Sequence, residues 1–268
     1  MYVAGYRDQG NWVAWNLGPK FGEPWPDVQF PRAAEGQGEG VGGLDEEAWK
    51  AATSARYQEF DNDENVQLHS DVAAVAADSG KLLLQVGGGD TKIDDKRTVR
   101  KEENKRAEKN KAGIVYLTNS AGGLRAQLTV TKSTTRNIKG IVAYESIGFV
   151  FPETYNTTRW GRPTPGFGPF KVPDVQFRKL AQLSGIQFVW GDHRARNYSY
   201  VEQSFEVARL INQAGGKASV LMLGEVGLKG STHIPFMDMD NEKVAGLLDR
   251  FLEDHGLDGY VEEDESED

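Results

Sequence analysis

The chain has 268 residues, enough for one sizeable core, and 38% of them are hydrophobic, which suits a folded domain despite a mean hydropathy of -0.55. A formal charge of -9 and an isoelectric point near 5.1 argue against a nucleic-acid partner, because phosphate binding draws on a basic surface. Zero cysteines exclude disulfides, a thiol nucleophile and thiolate metal sites. No stretch approaches the ~20 apolar residues that span a bilayer. The opening MYVAGYRDQG has neither a basic n-region nor an apolar h-region, so no signal peptide is expected and the default compartment is the cytoplasm.

Residues 15–43 are rich in Gly, Pro and Trp; Pro24, Pro26 and Pro31 make this a poor helix or central strand and predict a surface-covering loop. Residues 87–111 are almost unbroken mixed charge and predict a solvated insertion. From there the pattern sharpens. An apolar run at 114–117 predicts a strand that leads into Thr118-Asn119-Ser120-Ala121-Gly122-Gly123, with a helix over 124–131. Further strands are expected at 138–144, 186–190 and 219–223, and helices at 200–213 and 244–252. Between the second and third strands, residues 146–175 form a Pro/Gly-rich, cap-like excursion carrying Phe149, Phe151, Trp160, Phe167 and Phe170. These aromatics either line an acyl pocket or pack on the domain. Strands alternating with helices imply an α/β fold, a mostly parallel sheet flanked by helices, as one domain over residues 1–256. Residues 257–268 read as an acidic tail.

Ser120 is the most informative residue. A tight strand-to-helix turn holds a serine hydroxyl clear of the sheet, and small neighbours let the backbones approach. Thr118 stands where a glycine is usual, so T-N-S-A-G is a degenerate form of G-x-S-x-G. By itself this hexapeptide fits a helix N-cap as well as a nucleophile. Of the four histidines, His69 reads as surface and His255 as a helix end. His233 lies in GLKGSTHIPFMD, a loop after the fourth strand, from which a base reaches the carboxyl ends of parallel strands. The acid that orients it is Glu145, ending the strand after the nucleophile helix, or Asp192, ending the next; both fit the order Ser, acid, His. VGGGD is no phosphate loop, since G-x-x-x-x-G-K-[ST] is absent. Asp192, His193 and His233 lack metal-ligand spacing, so neither a metal nor another cofactor is expected.

The stretches TNSAGG, IKGIVAYES, QFVWGDH, INQAGGKASVLMLGEVGLKGSTHIPF and LLDRFLEDHG, between residues 112 and 254, resemble the α/β-hydrolase esterases. They are most similar to a microbial subgroup with a late G-N-T-H-x-P-type loop, and FGEPWPDVQFP resembles that subgroup's loop before the nucleophile. The resemblance implies a serine carboxylic-ester hydrolase acting on a small-molecule ester through an acyl-enzyme. It assigns Ser120 as nucleophile, Glu145 as acid, His233 as base and the Ala121 N–H as oxyanion donor. A lactonase or polyester hydrolase would use the same residues, and a non-catalytic binding protein the same fold; a homodimer is compatible with either. Three departures stand out, one of them the charged run at residues 96–111, which has no counterpart in the family. Asn119 replaces the His that usually precedes the serine. The family's early strands, with their His-Gly loop and second oxyanion donor, have no counterpart, as though the N-terminal strands were missing; residues 5–10 are the substitute donor loop expected here.

Overall fold

A computed structural model describes residues 8–34, 40–54, 62–80 and 113–259. The charged stretch at 87–111, residues 5–7 of the expected donor loop and residues 260–268 of the acidic tail lie outside this set. Among the described residues, three helices precede the sheet: α1 (Asp8–Ala14), α2 (Glu46–Ser54) and α3 (Asp63–Asp78). The chain then alternates through β1 (Ile114–Asn119), α4 (Ala121–Lys132), β2 (Ile138–Tyr144), β3 (Val150–Pro152), β4 (Phe170–Val172), α5 (Asp174–Phe177), β5 (Gly185–Trp190), α6 (Ser199–Gln213), β6 (Ala218–Met222) and α7 (Asn241–Asp254). The main sheet has the order β1-β2-β5-β6 with every pairing parallel; β3 and β4 form a separate parallel pair. The expected strands and helices are all present, with ends shifted by a few residues.

Strand period and burial explain the layering. Along β2, Ile141 and Ala143 point into one apolar cluster with Leu124 and Leu128 of α4 and Val201 and Ile211 of α6. Val142 and Tyr144 point into another, against Val244 and Phe251 of α7. Alternate side chains thus bury on opposite faces, each closed by helices, as a parallel sheet demands. The register pairs Asn119 with Tyr144, Tyr144 with Val189 and Trp190 with Met222. Strand ends therefore line up, and the residues just beyond them (Ser120, Glu145, Gly191) gather at one edge.

α4 is buried on nearly every side, from Gly123 to Thr131. Gly123 lets α4 pass close to the chain at the end of β2: a Cβ there would sit 2.2 Å from the Ser146 Oγ. Four of the five aromatics of the excursion pack on the domain. Phe149 and Phe151 are fully buried in the main core, with Trp160 and Phe170 against it.

Residues 15–34 and 40–43 are irregular, as expected, but they do more than cover a surface. Trp12, Trp15, Leu17, Val28, Phe30, Leu44 and Trp49 form a separate apolar cluster that includes Ile234, next to His233. Residues 8–10, the described part of the expected donor loop, belong to helix α1. No helix among the described residues is long and apolar enough to cross a membrane.

Candidate active site

Ser120 closes β1 and opens α4 with φ 56° and ψ -127°, and its side chain makes no capping hydrogen bond. The N-cap alternative therefore lacks its defining interaction. A left-handed backbone of this kind costs about 1–3 kcal/mol in a residue with a Cβ. Surrounding bonds hold it: the Ser120 N–H donates to the Tyr144 carbonyl at 2.9 Å, and its own carbonyl accepts from Gly123 and Ile147. Among the described residues four non-glycines have positive φ, and all belong to this one neighbourhood: Asn16, Ser120, Glu145 and His193. Strain concentrated in one place marks a site that the rest of the fold over-determines.

Glu145, one residue past β2, is 1% exposed and His233 6%. His233 Nδ1 lies 3.1 Å from Glu145 Oε2. The other carboxylate oxygen, Oε1, accepts from the Gly191 N–H at 2.7 Å. Arg194, which sequence reasoning passed over, donates to Oε2 through Nε at 2.8 Å, and its terminal nitrogen stands 2.7 Å from the same oxygen as an ion pair. Burial pushes the Glu145 carboxyl up, but the Arg194 guanidinium and the His233 contact outweigh it, and the net direction is down. An ionised Glu145 only accepts, so Nδ1 carries a hydrogen, and it is the neutral imidazole whose Nε2 keeps a free lone pair. Asn119 joins this pair to the nucleophile turn: its amide donates to the His233 carbonyl at 2.8 Å.

Asp192 has other partners. Its carboxylate accepts from the Gly230 N–H at 3.0 Å, and Lys229 stands 3.8 Å away. His193 pairs with Asp27 at 2.7 Å and stacks on Trp25. Ligand-type atoms of Asp27, Asp192 and His193 lie within 4.8 Å of one another, and His233 is not among them. Here the cluster acts as a direct clip between the N-terminal segment and the loop after β5. His69 is exposed on α3, and His255 ends α7 with Nδ1 on the Phe251 carbonyl.

The His233 loop is held from both sides. Its backbone N–H donates to the Trp15 carbonyl at 3.0 Å, and the Gln29 N–H donates to the Gly230 carbonyl. A Cβ on Gly230 would lie 1.8 Å from the Asp27 carbonyl oxygen, so this close approach requires glycine. Asn16 donates to the Asp192 carbonyl. From within the loop, Asp238 accepts from the Thr232 N–H at 2.7 Å and contacts Thr232 Oγ1 at 2.9 Å. No sequence signal announced these supports except Asn16, whose residue type tolerates the left-handed backbone.

Burial pushes the Asp238 carboxyl from 3.8 up to about 7. A carboxyl raised on folding stabilises fully below its unfolded pKa and loses that contribution as pH rises through the folded value. Thermal stability is therefore expected to fall between about pH 4 and pH 8, by at most ~4 kcal/mol from this group, or several degrees in Tm. Asp238→Asn, with its carbonyl toward the Thr232 N–H and its amide toward Oγ1, should flatten that slope. Calorimetry of both proteins across this range checks it; equal slopes would contradict it.

No protein-family model matches the chain, and no curated protein matches it. Among solved structures it is similar to one described as "The Atomic Resolution Structure of a Novel Bacterial Esterase", with a TM-score of 0.51 and 17% identity, covering 95% of this chain and 59% of that one. At that identity the likeness is one of fold. The α/β-hydrolase-like arrangement expected from the sequence, a mostly parallel sheet flanked by helices, is borne out. This chain spans well under two thirds of its neighbour's length.

Proposed function

We propose that this chain is a cofactor-free serine carboxylic-ester hydrolase of the α/β-hydrolase subgroup whose acid follows the strand after the nucleophile. The observation that carries the reading is Ser120: strained, uncapped, and next to the residue that hydrogen-bonds the loop of a His233–Glu145 pair. Ser120 Oγ attacks the acyl carbonyl while His233 Nε2 takes its proton, and Glu145 stabilises the imidazolium through Nδ1–H. The tetrahedral oxyanion accepts a hydrogen bond from the Ala121 N–H, one of the unpaired donors of the first turn of α4. Collapse expels the alcohol, protonated by His233. Water, deprotonated by the same histidine, then releases the acid and restores Ser120.

The structural neighbour is described as an esterase, which agrees in reaction class. Turnover of short p-nitrophenyl esters, with a burst equal to the enzyme concentration where deacylation limits, is the expected result. Absence of turnover would favour a non-catalytic binding protein on the same fold. The packing of Phe149 and Phe151 into the core is the observation on that side, since it removes two expected pocket residues. A substrate panel separates simple esters from lactones and polyesters, which call for the same residues.

A further inference from the structure

We infer that Arg194 is a positioning residue: by sharing Glu145 Oε2 with His233 and anchoring to the carbonyl of Ala14, it holds the buried carboxylate charged and aimed at the imidazole. This rests on the hydrolase reading above. Arg194 is itself largely buried, donates to the Ala14 carbonyl at 2.7 Å and lies over the Tyr198 ring. It therefore ties three separate pieces of chain: the end of α1, the residue after β2 and the loop after β5.

The chemistry explains why such a residue is needed. Glu145 is 1% exposed, and a carboxylate removed from water moves toward its neutral form unless a cation offsets the loss. A neutral Glu145 could donate its own proton to His233 Nδ1. The imidazole would then carry its hydrogen on Nε2 and could not accept one from Ser120. A guanidinium keeps its charge across the working pH range and presents donors in a fixed plane, so Arg194 preserves both the charge of Glu145 and the tautomer of His233. Other ionisable groups around the pair do not replace it. Tyr198 packs against Arg194, and Asp238, from the His233 loop, would repel the Glu145 charge once ionised. Asp192 and His193 adjoin Arg194 in the chain but are engaged with Gly230 and Asp27, and Lys229 stands on Asp192.

The test compares wild type with Arg194→Met and Arg194→Lys. For Arg194→Met, kcat should fall ~10–100-fold near pH 6 with KM little changed, and much of the loss should be recovered at pH 8.5, because the acid limb of the profile moves up. Arg194→Lys, which retains the charge, should recover most of the activity at pH 6. A profile for Arg194→Met parallel to wild type from pH 5.5 to 8.5 overturns the inference.

A second readout needs no turnover. Carbon-13 NMR of the glutamate carboxyls, with Glu145 assigned through Glu145→Gln, should show Glu145 ionised throughout that range in wild type and titrating within it in Arg194→Met. Unmoved titration overturns the role of Arg194 whatever the activity. A moved titration in a protein that hydrolyses no ester keeps the role and sinks the hydrolase reading instead. If Arg194→Met is too unstable to study, the double variant with Glu145→Gln decides the matter. Neutralising the stranded partner should raise Tm above that of Arg194→Met; additive losses contradict the inference.

Discussion

Ser120→Ala is expected to lower ester turnover by ~10³–10⁶-fold while leaving the protein folded and its Tm within a degree or two of wild type. The first part follows from the chemistry, because no acyl-enzyme forms without Oγ. The second part follows from the structure and separates two views of the residue. A serine that caps a helix costs about 0.5–2 kcal/mol when changed to alanine, yet the Ser120 side chain makes no such bond. Ser120→Gly goes one step further: a glycine adopts φ 56° freely, so this variant should be inactive and at least as stable as wild type. A stable dead enzyme is the signature of strain kept for function. Activity kinetics and calorimetry on the same preparations read both effects. An active Ser120→Ala, or one destabilised as a lost cap would be, contradicts the assignment.

The second large effect belongs to the acid. Glu145→Gln should cost ~10³–10⁴-fold in kcat, whereas Asp192→Asn should stay within ~10-fold of wild type. The difference rests on partners. Glu145 touches His233, the Gly191 N–H and Arg194, and a glutamine in its place can turn an N–H toward Nδ1, favouring the wrong tautomer and supplying no negative charge to the imidazolium. Asp192 meets Gly230 and lies near Lys229 and His193, so its loss loosens the loop without altering the imidazole directly. Kinetics of the two variants check this. A larger loss from Asp192→Asn would transfer the acid's role to that strand end.

The strands and helices after residue 113 were legible because each is a local pattern: a short apolar run, a 3.6-residue spacing, a terminating glycine. Ile138–Tyr144 emerged with its expected limits because its neighbours Asn137 and Glu145 are both polar. Ser120, Glu145 and His233 were legible as candidates because parallel strands carry their functional residues beyond their carboxyl ends, and these three stand there in chain order. The choice between Glu145 and Asp192 was open on spacing alone, since both follow strands of the same sheet. Only the path of the His233 loop decides which of them meets its imidazole.

Arg194 was illegible for a related reason. An arginine in GDHRARNY looks like any loop cation, and its partner is 49 positions away. The N-terminal segment does more than its prolines announce: they mark a loop, while its tryptophans build a separate core. That core brings Trp15 to the backbone of His233. The aromatic excursion was equally ambiguous, because a phenylalanine that lines a pocket and one that fills a core have the same sequence signature.

The most direct measurement is labelling of the folded protein with a fluorophosphonate, followed by intact mass and peptide mapping. A single adduct is expected, on Ser120, absent after denaturation and strongly slowed in His233→Ala. An unlabelled native protein, or an adduct on another serine, would contradict the assignment of Ser120 as the nucleophile.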